Sequence, residues 1–158
     1  MKPDKSSLEM TVLMSPDMAN FDGKVHGGAL LNTLDRVAFT CASRFSGSYA
    51  VTLSVDQVTF KEPISVGELV TFRASVNFVG KTSMEIGIRV EAENLRLGTI
   101  RHTNSCYFTM VAVDASGKPT SVPRLTVSNE VTGRRFEAGK KRRELRKQIS
   151  TRFEDVSH

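Results

Sequence analysis

The sequence predicts an α+β domain in which a curved antiparallel sheet wraps around one long helix. Residues 29–45 form an amphipathic stretch of about 17 residues whose apolar positions recur with helical periodicity. After residue 47 the apolar residues recur instead at every second position, in several consecutive stretches, as in half-buried strands. Because a single helix precedes consecutive strands, the sheet has to curl around this helix to bury its apolar side.

The composition indicates one globular domain. Of 158 residues, 39% are hydrophobic and 25% are charged, which is not typical of a disordered chain. No apolar run reaches the roughly 18 residues of a membrane span, and the first residues lack the apolar stretch of a secretory signal. Two cysteines exclude a disulfide scaffold and are too few for a zinc site by themselves. We therefore expect a reduced, cytoplasmic protein without a metal ion or a membrane partner.

The first elements follow in order along the chain. Residues 8–14 (L-E-M-T-V-L-M) are apolar and partly β-branched, which predicts a strand. Residues 15–25 carry the proline, aspartates, asparagine and glycine of a loop. The helix of residues 29–45 follows and ends near Gly47. Its apolar arc consists of Leu30, Leu34, Val37, Ala38, Cys41 and Phe45.

Four strands are predicted after the helix. Residues 69–78 and 83–93 alternate strictly between apolar and polar positions, whereas residues 50–60 and 99–113 are longer β-rich runs. Turn residues separate the strands, and residues 114–119 (D-A-S-G-K-P) end the region. Such a sheet leaves open edges, which favours pairing of two copies.

Some polar residues of these elements have a structural interpretation. On the last strand, His102 and Asn104 are predicted to share a face with Ile100, Cys106 and Phe108. This placement favours a hydrogen-bonded pair in the core or at an interface. Cys41 and Cys106 are expected to be small buried residues, because neither lies in the sequence pattern of a nucleophilic thiol.

The end of the chain differs from the rest. We expect one domain over residues 1–128, followed by a basic helical tail over residues 129–158. From residue 130 onward there are nine Lys or Arg and five Asp or Glu, so the tail carries most of the net charge of +5. Its apolar content is small, which predicts either a second helix docked weakly or a partly mobile segment. A basic segment attracts anions such as phosphates, nucleic acids and membrane surfaces.

Asp35 is the strongest candidate for chemistry. It lies at the edge of the apolar arc of the predicted helix, beside Leu31 and Phe39. A carboxylate flanked by apolar groups is unfavourable unless it is paired or takes part in a reaction. The alternative is a surface aspartate that pairs with a basic residue such as Arg36 or Arg44.

Two further candidates lie near the start of the helix. Gly27 and Gly28 follow His26 there, where unpaired N–H groups and the helix dipole can bind an oxyanion or a phosphate. Asn20, in the preceding loop, could orient a water molecule or a carbonyl group. The alternatives are a plain loop-to-helix junction and a turn-forming asparagine.

A predicted turn combines Gly80, Lys81, Thr82 and Ser83. One cation, two hydroxyl groups and free backbone N–H groups can together hold a phosphate, although most such turns are plain hairpin tips. Elsewhere the sequence contains neither the nucleophile pattern Gly-x-Ser-x-Gly nor the glycine-rich phosphate and dinucleotide motifs.

Taken together, these residues resemble a known family. The pattern H-G-G-A-L-L-x-x-x-D-x-x-A of residues 26–38 is similar to the helix signature of hot-dog-fold acyl-coenzyme A (acyl-CoA) thioesterases, especially the cytosolic acyl-CoA hydrolase branch. The resemblance continues through S-V-D-Q-V-T-F-K-E-P-I (54–64), G-E-L-V (67–70), V-G-K-T-S (79–83) and V-A-V-D (111–114). It covers about residues 8–125 and implies the hot-dog fold.

The resemblance also implies roles for individual residues. In that family a carboxylate on the central helix acts as general base or nucleophile, which implies this role for Asp35, and a loop asparagine, here Asn20, assists it. The N–H group that polarises the thioester carbonyl corresponds to Gly28. Coenzyme A is expected at residues 80–83, with basic tail residues near its phosphates, for which Arg142 and Arg143 are the candidates.

The implied function is hydrolysis of acyl-CoA to a free fatty acid and coenzyme A, either by activation of water or through an acyl-enzyme. No cofactor is required, because coenzyme A is part of the substrate and product. The implied assembly is a homo-oligomer. Its active unit is a dimer, since the site forms between two subunits, and a trimer of dimers is the common state.

Three other functions are alternatives. A non-catalytic acyl-CoA-binding regulator of the same fold would bind through the turn and the tail, but an intact Asp35 argues against it. A nucleic-acid-binding module is not expected, because Phe136 and Phe153 are the only aromatic residues of the basic tail. A hot-dog dehydratase would need a catalytic Asp–His motif that is not evident in the sequence.

Overall fold

A computed structural model of the chain describes residues 4–157. Five strands form one antiparallel sheet in the order β1-β3-β4-β5-β2. The helix α1 packs on one face of this sheet, which we call the inner face, and α2 packs on the opposite, outer face. The elements are β1 Ser7–Leu13, α1 Gly27–Ser46, β2 Tyr49–Val55, β3 Leu69–Val79, β4 Ser83–Asn94, β5 Thr99–Val113 and α2 Glu130–Val156. The predicted α+β class and antiparallel sheet are confirmed.

The core lies between α1 and the inner face of the sheet. The predicted arc of α1 is buried at all but its last position, where Phe45 packs against the core from a half-buried place. The arc meets strand residues such as Phe72, Phe108 and Met110, which are fully buried. Burial of each large apolar side chain contributes about 1.5–3 kcal/mol, which fixes α1 against the sheet. Gly47 ends the helix with a positive φ of 70°, a conformation that glycine adopts without a steric penalty.

The second strand is shorter than predicted. The β-rich run of residues 50–60 pairs with β5 only as far as Val55, and residues 56–68 form a loop. The buried carboxylate of Glu68 holds the end of this loop, because it accepts hydrogen bonds from Arg101 and from the backbone N–H of Ser65 at 2.8 Å. Arg101 also donates to the carbonyl of Pro63 at 2.6 Å. The alternation of apolar and polar residues in the sequence cannot show where side-chain contacts such as those of Glu68 and Arg101 replace strand pairing.

The predicted face of β5 is wrong at its first residues. Val90 pairs with Asn104 and Glu91 pairs with His102, so Thr103 is an extra residue in β5. A bulge of this kind reverses which side chains face inward. Asn104 therefore lies in the core as expected, whereas His102 is exposed and Ile100 is 61% exposed. The two polar residues do not form a pair, since His102 Nε2 bonds to Ser105 Oγ at 2.9 Å.

The tail is a helix, and it is docked more firmly than its apolar content predicts. Gly139 brings the backbone of α2 so close to β3 that a Cβ atom there would lie 2.9 Å from Cβ of Phe78. The carboxylate of Glu85, only 3% exposed, accepts hydrogen bonds from both Arg142 and Arg146. Charge pairing with a buried acid thus adds to the sparse apolar packing of the tail, and a composition count of the tail alone cannot reveal that acid.

Candidate active site

Asp35 lies on an exposed flank of α1, next to the edge strand β2. Its Oδ1 atom accepts a hydrogen bond of 2.6 Å from the hydroxyl group of Thr52. No basic side chain among residues 4–157 forms an ion pair with it, and Arg44 reaches the carbonyl of Ser7 instead. The surface ion pair that was the alternative for Asp35 is therefore not formed. One carboxylate oxygen is held by Thr52, and Oδ2 accepts no hydrogen bond from the described residues.

The surface around Asp35 is apolar. Leu31 and Phe39, one helical turn to either side, are 39% and 36% exposed. The Phe39 ring packs edge-on against Tyr49 of β2 at a centroid distance of 5.3 Å. β2 is at the edge of the sheet, so its outer backbone groups have no strand partner within residues 4–157. An exposed apolar patch beside an open strand edge is typical of a protein interface.

The start of α1 offers a free N–H donor. Nδ1 of His26 accepts a hydrogen bond from the N–H of Ala29 at 2.9 Å and so caps the helix. The N–H of Gly28 bonds to no acceptor in the described part of the chain. Because Gly28 is in the first turn, the helix dipole adds a partial positive charge to this donor. An oxyanion can therefore bind here.

Asn20 closes a turn in the loop before α1. Its Oδ1 atom accepts hydrogen bonds from the N–H groups of Asp22 at 2.9 Å and Lys24 at 3.0 Å. This is the turn-forming role that the sequence left open. The Nδ2 group has no acceptor among residues 4–157, and no hydrogen bond links Asn20 to Asp35 within one chain.

The β3–β4 turn lies beside α2. A Cβ atom on Gly80 would be 2.9 Å from Ser83 Oγ and 3.1 Å from Nη1 of Arg143, so both side-chain ends lie directly against this glycine. The guanidinium group of Arg143 thus borders the predicted phosphate-binding turn. Lys81 in the same turn is exposed.

Arg142 has a different place from its neighbour. Its Nη2 atom donates to Glu85 Oε1 at 2.7 Å, and its guanidinium group stacks 3.8 Å from the centroid of the Tyr107 ring. Burial alone would raise the pKa of Glu85, but the hydrogen bonds from Arg142 and Arg146 outweigh it and hold this pKa below the ordinary value. The structure therefore brings Arg143, and not Arg142, next to the turn.

The two cysteines of residues 4–157 lie buried in the core, apart from the surface that carries the candidate site. Burial raises the pKa of Cys41 and of Cys106 to about 12, so both thiols stay protonated at neutral pH. In this part of the chain no three His, Cys, Asp or Glu side chains form a group that could hold a metal ion. Neither α1 nor α2 contains a continuous apolar stretch of the length that a bilayer span needs.

Comparison with known proteins decides the family. The profile of the Thioesterase superfamily matches residues 22–99. Protein VdlD of Helicobacter pylori is 53% identical over 143 residues, which make up 90% of this chain and 82% of VdlD. A hexameric acyl-CoA thioesterase of known crystal structure is 36% identical in sequence, and the two folds superpose with a TM-score of 0.89. The match covers 93% of this chain and 94% of the chain of that thioesterase. This chain belongs to the acyl-CoA thioesterase family. The hot-dog fold implied by the resemblance is confirmed.

A second solved relative of this thioesterase bears on the residues of the site. The acyl-CoA hydrolase of Staphylococcus aureus, solved in complex with butyryl coenzyme A and coenzyme A, is 26% identical in sequence and superposes with a TM-score of 0.87. The match covers 96% of this chain and 93% of the hydrolase chain. Structures have also been determined of three single alanine variants of this hydrolase, at an asparagine, an aspartate and a threonine. The aspartate follows the asparagine by 15 residues, and the threonine follows the aspartate by 17. The same residue types at the same spacings occur here as Asn20, Asp35 and Thr52.

Thr52 is the residue that sequence reasoning missed. It lies in a predicted strand, where a threonine is ordinary, and no local pattern distinguishes it from other strand threonines. Only the packing of α1 against β2 brings its hydroxyl group to Asp35. A bulge at Leu53, where the β2–β5 pairing shifts by one residue, follows it directly.

Proposed function

We propose that this thioesterase hydrolyses acyl-CoA with Asp35 as general base or nucleophile and the Gly28 N–H as oxyanion donor. The observation that carries the proposal is the hydrogen bond from Thr52 to Asp35, on an exposed flank of a helix whose first turn has an unpaired N–H group. The hydrogen bond holds one carboxylate oxygen and leaves the other available for the reaction.

The chemistry needs few groups. The leaving thiol has a pKa of about 8.5, so the C–S bond of a thioester breaks without strong acid assistance. A positioned base contributes about 10²–10⁴-fold to the rate, and an oxyanion donor contributes about 2.7–4 kcal/mol. Asp35 takes a proton from water as the water oxygen attacks the carbonyl, the C–S bond breaks, and the proton passes to the leaving thiolate. Direct attack by an oxygen of Asp35 on the carbonyl would instead break the C–S bond, release the coenzyme A thiolate and form an anhydride. Water then hydrolyses this anhydride to the fatty acid and free Asp35, and the released proton neutralises the thiolate.

The active unit in this proposal is a dimer formed through the apolar patch. Pairing of the β2 edges of two copies would cover Leu31 and Phe39 and remove water from around Asp35, which strengthens its interactions with the substrate. Because Asn20 does not contact Asp35 within one chain, the partner subunit's Asn20 is the one expected to reach the site. The hexameric relative supports a homo-oligomer of this chain, and the form proposed for this homo-oligomer is a trimer of dimers.

Coenzyme A is proposed to bind at the β3–β4 turn. Lys81, Thr82 and Ser83 supply a cation and two hydroxyl groups, and Arg143 adds a guanidinium group at the same place. The role that the resemblance implies for Arg142 would compete with the hydrogen bond that its side chain already donates to Glu85. Coenzyme A is the only non-protein group in this proposal, and the cytoplasmic location and the lack of a nucleic-acid partner stay predictions.

The test is thiol release from a panel of acyl-CoA substrates, with wild type compared to Asp35→Ala. Glu137→Ala is the matched control, because this exposed carboxylate of α2 makes no ion pair within residues 4–157. We expect Asp35→Ala to lose turnover by at least about 10²-fold while it still binds coenzyme A, with Glu137→Ala near wild type. No turnover by wild type on any substrate would favour the non-catalytic acyl-CoA-binding regulator, and full activity of Asp35→Ala would remove this residue from the mechanism.

A further inference from the structure

One flank of α2 borders an open groove on the outer face of the sheet. The groove has a volume of about 590 Å³. Its floor is formed by residues of β1, β3, β4 and β5, where Arg73 pairs with Glu9 and Glu91, and Arg89 pairs with Glu91. The positive charge of the groove therefore comes mainly from Arg134 and Arg135 of α2, which form no ion pair within residues 4–157. The α2 wall consists of Val131, Arg134, Arg135, Ala138 and Arg142.

The same flank of α2 carries nearly all of its apolar side chains. Among the seven apolar residues of α2, Phe136 packs on Phe78 at a centroid distance of 5.0 Å. The other six fall within one narrow arc at helical periodicity, and we call them the α2 seam. The large seam residues are all at least 43% exposed, and Phe153 is 67% exposed. The seam consists of Val131, Ala138, Leu145, Ile149, Phe153 and Val156.

The last part of α2 extends beyond its contacts with the sheet. Arg146 is the last residue of α2 that bonds to the sheet side, through Glu85 and Asp56. The ten following residues make no hydrogen bond or ion pair to another element of the described chain. At about 1.5 Å per residue, a helical rod of about 15 Å with exposed seam residues is left without a partner.

Charge is distributed unevenly along α2. Residues 130–147 contain eight basic and three acidic side chains, whereas residues 148–156 contain one basic and two acidic ones, Glu154 and Asp155. The carbonyl groups at the end of a helix add a partial negative charge. The acidic end of one α2 is therefore complementary to the basic groove of another.

We infer that the groove binds the end of α2 from a second copy of this chain, so that two α2 helices pack antiparallel about a twofold axis. In this register Val131 faces the partner subunit's Val156, and Ala138 faces the partner subunit's Ile149. The small side chain of Ala138 lets the two helix backbones approach each other, and both seams are covered along their length. Each copy contributes one groove and one helix end, so the interface is self-complementary.

This interface is separate from the one proposed for the active dimer. The dimer uses the β2 edge and α1, while the α2 seam lies over the outer face of the sheet. Two different twofold interfaces on one chain generate a closed ring of dimers when the angle between their axes permits closure. The α2 seam is therefore the contact that joins dimers into a larger assembly such as the hexamer of the relative described above.

The first test is the mass of the full-length protein in solution, measured by light scattering after size exclusion. Replacement of both Ile149 and Phe153 by Glu is expected to reduce a hexamer to a dimer. The matched control is Thr151→Glu, on the opposite side of α2, which is expected to stay hexameric. A double variant that keeps the wild-type mass, a control that dissociates equally, or a wild type no larger than a dimer would overturn the inference.

The second test does not depend on disruption. A variant with Ala138→Cys and Ile149→Cys is expected to form a disulfide between subunits under mild oxidation, because these positions face each other across the twofold axis. Within one helix they are about 16 Å apart and cannot bond. Ala138→Cys with Thr151→Cys is the control and should stay monomeric on a denaturing gel. Cross-linking of both variants, or of neither, would refute the register. The outcome of these two tests is independent of the catalytic role proposed for Asp35, because Asp35→Ala leaves the α2 seam unchanged.

Discussion

Replacement of Gly139 by Ala is expected to destabilise this protein, although alanine is the better helix former. A Cβ atom at this position would lie 2.9 Å from Cβ of Phe78 and 3.3 Å from Oε1 of Glu85. The Phe78 atom belongs to the backbone-proximal part of β3 and cannot rotate away. The helix α2 must therefore move outward, and this movement lengthens the hydrogen bonds from Arg142 to Glu85.

The magnitude follows from two opposing contributions. Alanine in place of glycine stabilises a helix interior by about 0.8–1 kcal/mol. Overpacking at a close contact costs about 1–3 kcal/mol, and each weakened hydrogen bond to a charged group costs up to about 1.5–3 kcal/mol more. The net expectation is a loss of about 1–3 kcal/mol. The melting temperature should fall by about 2–4 °C for each kcal/mol in a domain of this size.

Gly133→Ala is the matched control in the same helix. Its Cβ atom would meet only Cγ1 of Val127, at the ordinary contact distance of 3.5 Å. This variant should gain up to about 1 kcal/mol, because only the helix propensity changes. Urea and thermal unfolding of both variants measure whether each substitution lowers or raises the free energy of unfolding. If Gly139→Ala is as stable as Gly133→Ala, the close approach of α2 to β3 is not a constraint and the reasoning fails.

Three further predictions concern the site and the docking of α2. Thr52→Val should lower kcat by about 10–100-fold, the equivalent of one charge-assisted hydrogen bond to Asp35, with unchanged melting; normal kcat would refute the positioning role. Glu85→Gln should destabilise by about 3–5 kcal/mol, since the guanidinium group of Arg142 loses its buried charged partner and that of Arg146 keeps only Asp56. In the folded protein the pKa of Glu85 lies below its ordinary value of 4.5. The ionised carboxylate therefore stabilises the fold above pH 4.5, and this stabilisation is lost as the pH falls through the lowered pKa of the folded state. Urea titrations of Glu85→Gln should lack this loss of stability in acid. His26→Ala should lower the melting temperature and kcat together, whereas His26→Asn, which keeps a cap acceptor, should restore both.

Local patterns predicted most of the elements. The period of about 3.6 identified α1, and the period of two identified β3 and β4, because burial on one side of an element leaves its trace in the sequence itself. The same reasoning placed Asp35 at the border of the apolar arc, where it is found beside Leu31. Contacts between residues distant in sequence leave no such trace.

The fold class, the long helix and the candidate residues Asn20, Gly28 and Asp35 were thus determined by the sequence alone, and the family pattern added their expected roles. Only the tertiary structure decided that Thr52 holds Asp35 and that a bulge turns His102 outward. It also decided that a buried Glu85 binds Arg142 and leaves Arg143 beside the turn. The physical reason is common to these cases: each depends on which strand or helix lies opposite, and that register is set by packing of the whole chain.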